Sequence, residues 1–139
     1  MIGANWERKT LPAGPIIPVA KALYLCDGHI AFPNQKTDLM GIFTSIRPAK
    51  YPHVQKHFVI YAQLISGLGK VPFYFDVRFA QTGQLVRTTN IHTLNFPNRD
   101  KIVELALTML GCPFPQPGNY LIELHCNNQW VADTTLELL

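Results

Sequence analysis

Residues 71–80, VPFYFDVRFA, constrain this chain more than any other segment. Val71, Phe73, Phe75, Val77 and Phe79 alternate with Pro72, Tyr74, Asp76 and Arg78. A period of two is the repeat of a β-strand, with one face buried and the other solvated. Five large apolar side chains on one side of a single strand need a second layer to cover them. The rest of the chain supplies the material for it as short apolar runs separated by turn residues. These are ALYLC (22–26) ending at Asp27-Gly28, MGIFTSI (40–46) ending at Arg47-Pro48, and HFVIYAQLIS (57–66) ending at Gly67-Leu68-Gly69. Thr82-Gly83 turns the chain into LVRTTNIHTLNF (85–96), where the alternation slips and a bulge is expected.

One segment is ambiguous. In KIVELALTML (101–110), Ile102, Leu105, Ala106, Met109 and Leu110 fit a helical face, with Asp100 placed to cap its start and Gly111 its end. Read as a strand, the same residues put Val103, Leu105, Leu107 and Met109 on one face. The segment that follows favours the strand. After a Pro-rich turn (Cys112 to Pro117), Tyr120, Ile122, Leu124 and Cys126 share a face. Asn127-Asn128 then turns the chain into QWVADTTLELL, where Trp130, Ala132, Leu136 and Leu138 are expected to share one. Pro117-Gly118-Asn119-Tyr120 opens the penultimate strand in the manner of a tyrosine corner, whose hydroxyl bonds back to upstream backbone at the crossing between two sheets. The segment before such a corner is itself a strand. The expectation is therefore an all-β, two-sheet antiparallel sandwich of about seven to eight strands.

At 139 residues the chain is of single-domain size. We expect an extended Pro-rich arm over residues 1–19, followed by one sandwich domain over 20–139. Pro12, Pro15 and Pro18 forbid a helix in the arm. Such an arm can stay disordered, lie on its own domain or reach a neighbouring subunit. Of the eleven prolines, only Pro72 falls inside an expected strand, where an edge position tolerates its missing N–H. Charged residues make up 15%, against about 25% in an average domain, which suits a well-buried β protein or a surface used for association. The net charge of +3 comes from scattered Lys and Arg with no run longer than Arg8-Lys9, so no nucleic-acid footprint is expected. No membrane helix is expected, because Pro12, Pro15, Pro18 and Lys21 interrupt the apolar stretch from Leu11 to Leu25. Asn5 and Glu7 stand where a signal peptide would turn apolar. The odd cysteine count (Cys26, Cys112, Cys126) then reads most simply as reduced thiols in a cytoplasm.

The order and spacing of ALYLCD, MGIFTSI, YP, FVIYAQLISGLG and FPQPGNY resemble a family of small bacterial β-sandwich proteins of unknown function. The resemblance runs from Ala22 to Leu138 and implies an immunoglobulin-like sandwich without helices. It implies no reaction and carries over no site residue. The long Pro-rich arm is an addition to the family pattern.

No constellation in the sequence has the spacing that chemistry demands. Cys26-Asp27-Gly28-His29 resembles half of a metal site, but Cys112 and Cys126 supply no second paired knuckle, so Cys26 reads as a core residue and Asp27-Gly28 as a turn. His53 and His57 have the i, i+4 spacing of helical metal ligands, but Pro52 and the β pattern from Phe58 leave no helix to carry them. His125 and Cys126 are adjacent on a strand and point to opposite faces, so they form no nucleophile–base pair. The acids are Glu7, Glu104, Glu123, Glu137, Asp27, Asp38, Asp76, Asp100 and Asp133, and alternation places Asp76, Glu123 and Asp133 on solvated faces rather than in a cleft. Gly67-Leu68-Gly69-Lys70 is too short to cradle a phosphate and reads as a hairpin turn. Tyr74, Tyr61 and Trp6 are the aromatics on which a sugar would stack, although Tyr61 reads as buried between the sheets and Tyr74 as packed cross-strand.

The expectation is a non-catalytic interaction, scaffold or oligomerisation module with no catalytic, cofactor or metal residue. Its partner would be a protein or a second copy, docking on strands such as 57–66 that are apolar on both faces. A small-ligand or carbohydrate-binding sandwich is the alternative. A metal-dependent enzyme built on Cys26, His29, His53 or His57 is the least favoured reading.

Overall fold

The computed structural model describes residues 14–139, so positions 1–13, including Trp6 and Glu7, lie outside the described residues. Gly14 to Pro18 lead into the domain through a bridge between Ile16 and Leu68. Eleven strands follow: β1 (Val19–Cys26), β2 (Gly28–Ala31), β3 (Thr37–Met40), β4 (Ser45–Ile46), β5 (His53–Ile65), β6 (Gly69–Phe79), β7 (Leu85–Thr88), β8 (His92–Phe96), β9 (Val103–Phe114), β10 (Gly118–Cys126) and β11 (Gln129–Leu138). No helix occurs among the described residues.

Two sheets enclose the core. One has the order β1-β5-β9, and the other the order β4-β11-β10-β6-β7 with β8 also on β6. The alternating residues Val71 to Phe79 of β6 and Tyr120, Ile122, Leu124 and Cys126 of β10 face Phe58, Ile60, Ala62 and Leu64 of β5 and Leu105 and Met109 of β9. The segment expected as a strand over 102–110 is one from Val103, as the tyrosine corner requires, and it continues to Phe114. The corner itself is present. The Tyr120 hydroxyl donates to the Gln116 carbonyl at 2.7 Å and accepts from the Gln116 N–H at 3.2 Å. Gly118 has φ 131°, a conformation L side chains avoid, and a Cβ there would lie 2.8 Å from the Phe79 ring.

This strand order is immunoglobulin-like. The first sheet corresponds to strands A, B and E, and the second to C, F and G with an added strand on C. Among the described residues no strand takes the D position, so the outer edge of β9 is unpaired. In antibody domains the second core cysteine follows the corner tyrosine by two residues. Here that position is Ile122, and Cys26, Cys112 and Cys126 are all free and buried.

Several expectations need correction. MGIFTSI is not one strand. Gly41 takes φ 64° and packs against the Asp27 carboxylate, so β3 stops at Met40 and the chain crosses to β4, which runs parallel to β11. Segment 85–96 is bulged as expected, the β6–β7 register slipping at Val86 between the pairs Val77–Arg87 and Arg78–Leu85, but it is also broken after Thr88. Thr89 leaves the ladder to hold Phe75, donating its N–H to the Phe75 carbonyl and accepting the Phe75 N–H on its hydroxyl, both at 2.9 Å. These breaks, together with the β2–β3 pair, raise the count above seven or eight. Asp27 is followed directly by β2, so Gly28 is a strand residue. Residues 67–70 do not close a hairpin but carry the chain from one sheet to the other, with Ser66 and Gly69 at positive φ. Pro113 joins Pro72 as a strand proline, on the edge strand β9. Pro72 itself is flanked by β8, so its strand is not an edge there; its carbonyl accepts from Asn127 N–H, which directs its missing N–H toward the β10–β11 turn.

The main departure concerns the second apolar face of β5. Val59 and Tyr61 point away from the core, yet both are buried. The β2–β3 hairpin folds back over Tyr61, so that His29, Ala31 and Thr37 line one cavity with Tyr61 and Glu104. Tyr61 donates to the Glu104 carboxylate, which also accepts from the Thr37 hydroxyl at 3.3 Å. Tyr61 is thus buried beneath a hairpin and not between the sheets. Around Tyr61 the outer apolar face of β5 is covered by the chain itself.

Candidate functional site

The outer face of β6, β10 and β11 gathers an ion-pair network and an aromatic stack. Because the odd positions of β6 and the even positions of β10 fill the core, Tyr74, Asp76, Arg78, Leu121, Glu123 and His125 project outward. Strand register then sets them in rows. Tyr74 pairs with His125 and His125 with Trp130; Asp76 pairs with Glu123 and Glu123 with Asp133; Arg78 pairs with Leu121.

Trp130 was expected to share the inward face with Ala132, Leu136 and Leu138. It does not. The register shifts between Leu124 and His125, so Val131 is an extra residue and the side chain before it reverses direction. Trp130 is consequently 57% exposed, beside a Tyr74–His125 pair stacked at 5.1 Å and 6°. The type I′ geometry of the preceding turn, with Asn127 and Asn128 both at positive φ, fixes this hairpin.

The carboxylate row is partly dehydrated. Asp76, expected on a solvated face, is on that outer face but only 6% exposed. Directly opposed like charges repel, and Arg78 offsets this. Its Nε lies 3.0 Å from Glu123 Oε1 and its Nη2 3.3 Å from Asp76 Oδ2. His125 Nε2 is 3.3 Å from the same Glu123 oxygen. Next to Tyr74 and Asp76, a groove of about 400 Å³ opens toward Leu85, Thr88, Ile91 and Asn128.

The other sequence candidates do not converge. Cys26 is buried with its thiol against the Val59 carbonyl, and no metal-sized group of ligands includes it or His29 among the described residues. His53 and His57 lie within β5 rather than in a loop before it. Four residues along a strand span about 13 Å, so they cannot share one ion. His53 instead bonds Gln55 at 2.9 Å. Cys126 is in the core while His125 faces out, so the two are separated as expected.

The thiols are held un-ionised. Burial pushes Cys126 up to about 12 and Cys112 up to about 11, the latter against the opposing charge of Arg87, and burial also raises Cys26. In the unfolded chain these groups ionise near their ordinary 9.0. Below that pH the thiols contribute nothing to the pH dependence, and above it the unfolded state alone loses protons. Stability is therefore expected to fall as pH rises above about 9, by up to about 1.4 kcal/mol per pH unit from Cys112 until about 11 and from Cys126 until about 12. Urea unfolding at pH 8 and pH 10 checks this, because replacing Cys112 and Cys126 by alanine is expected to flatten the decline.

A sandwich of this strand order, with its corner tyrosine and an exposed aromatic row, is an immunoglobulin-like domain. The chain belongs to the family of unknown function DUF6941, which it matches over residues 21–139. None of the curated proteins matches it. Among solved structures it is similar to an immunoglobulin-like protein from Pseudomonas aeruginosa, with 11% identity and a TM-score of 0.38 over 93% of this chain and 99% of that one. Among the described residues, no helix is long and apolar enough to cross a membrane.

Proposed function

We propose that this chain is a non-catalytic binding module that recognises a protein partner through the outer face of β6, β10 and β11. The observation that carries this reading is the row Tyr74–His125–Trp130, which crosses three neighbouring strands and exposes a tryptophan by means of a bulge. Tryptophan and tyrosine are the side chains most often found at the energetic centre of protein interfaces. The charged neighbours are already paired with one another, so they supply a polar rim rather than an activated nucleophile. Three buried free thiols and a core that closes over Ile122 without a disulfide suit a reducing compartment such as the cytoplasm.

Trp130→Ala is expected to weaken partner binding at least tenfold while changing stability by less than about 0.5 kcal/mol, since the side chain leaves no cavity. Affinity capture with wild type and variant, followed by titration of the protein retained, measures this; equal retention by both would sink the reading. Self-association through the same row would appear as a concentration-dependent mass in light scattering that Trp130→Ala abolishes.

The groove beside Tyr74 favours a second reading, a carbohydrate stacked on Tyr74 and Trp130 and hydrogen-bonded by the carboxylates. Glycan-dependent quenching of tryptophan fluorescence, lost in Trp130→Ala, separates it from the first.

A further inference from the structure

We propose that Asp76, Glu123 and His125 form a binding site for a divalent cation of the zinc class, with Arg78 as its resident competitor. The proposal does not rest on the binding-module reading. Asp76 Oδ2, Glu123 Oε1 and His125 Nε2 lie within 4.8 Å of one another. Nε2 is 3.3 Å from the glutamate oxygen and 3.7 Å from the aspartate oxygen. The longer distance is beyond a hydrogen bond. Both are close to the separation of about 3.4 Å between two ligands of a tetrahedral zinc held at about 2.0 to 2.1 Å.

The ligands are preorganised. Asp76 and Glu123 are fixed opposite each other by the β6–β10 register, and the His125 ring is held by its stack on Tyr74. Two carboxylates and a neutral imidazole would balance a divalent charge, and mixed oxygen and nitrogen donors suit zinc or manganese. Three protein ligands leave a fourth position for water or a bound group, and Asp76 borders the open groove toward Thr88.

Arg78 gives the site its distinguishing property. Its Nε and Nη2 hold the same two carboxylate oxygens that would ligate the metal. Guanidinium and metal therefore exclude each other. The Arg78 side chain is 35% exposed, and its Nη1 already reaches the Gly83 carbonyl at 3.3 Å, so it has a place to go.

Calorimetric titration of the 139-residue chain with zinc chloride, and separately with manganese chloride, tests this. One site is expected in the wild type. Arg78→Gln is expected to tighten zinc binding at least tenfold by removing the competitor, and His125→Gln to weaken it at least tenfold. A melting curve for each variant verifies folding. Should Arg78→Gln not fold, the wild type decides by NMR: zinc is expected to shift the His125 imidazole nitrogens before those of His29, His53, His57 or His92. Absence of binding in both wild type and Arg78→Gln, equal affinity in His125→Gln, or an unmoved His125 resonance would each overturn the site.

Discussion

Tyr120→Ala is expected to lower the unfolding free energy by about 3 to 5 kcal/mol, a large share of the total of about 5 to 15 kcal/mol that a domain has. The ring is wholly buried, 5.1 Å from Phe79 and 5.0 Å edge-on from Phe114. Removing it opens a cavity where β6, β9 and β10 meet. It also strips both hydroxyl bonds from Gln116, so the link between the two sheets loses its tether. Tyr120→Phe separates the two contributions. It keeps the ring and is expected to cost about 1 to 2 kcal/mol for the unpaired backbone groups. Urea midpoints of the two variants measure both numbers. A phenylalanine variant as stable as wild type would show that the hydroxyl contributes nothing to the corner.

Gly118→Val, two residues upstream, is expected to cost about 2 to 4 kcal/mol for a different reason. Nothing is removed. The backbone sits at φ 131°, which a β-branched residue does not adopt without strain, and the new Cβ would press on the Phe79 ring. Relief requires Phe79 to move, and Phe79 packs on Tyr120. The cost should therefore not add to that of Tyr120→Ala, because the cavity left by the tyrosine gives Phe79 room. A double-mutant cycle by urea unfolding reads this coupling, with a favourable interaction of about 1 kcal/mol or more expected. Strict additivity would show that Phe79 does not transmit the strain.

These two positions also show what could be read in the sequence. Gly118 and Tyr120 lie in one tetrapeptide, and their short-range chemistry sufficed to decide that residues 102–110, helical by local periodicity, form a strand. Face assignments were legible for the same reason: alternation in β6 and β10 separates core from surface without knowledge of any partner strand. Register was not legible. Asp76 and Glu123 are each visible as outward acids, but only the β6–β10 ladder makes them neighbours, and no residue near either one announces the other. Trp130 was misplaced because a single extra residue, Val131, reverses the alternation, and a bulge leaves no mark in a run of ordinary strand formers. Tyr61 was misread for a related reason. A strand apolar on both faces says that both are covered, but not whether by another sheet, another molecule or, as here, a hairpin from the same chain.

The β6–β10 ladder also bears on how fast the domain forms. Phe79 pairs with Tyr120 and Phe73 with Cys126, partners more than forty residues apart along the chain. Neither strand can gain this central pairing until that long loop has closed, and the ladders of the facing sheet are comparably remote in sequence. A topology dominated by distant pairings belongs among the slow folders, in milliseconds to seconds rather than microseconds. The tyrosine corner, like the β10–β11 and β6–β7 hairpins, is an exception, a tether spanning only four residues that can form before the sheets meet. Early in refolding it would be one of the few native connections available, setting the angle at which β9 hands the chain to β10 while the longer loops are still searching.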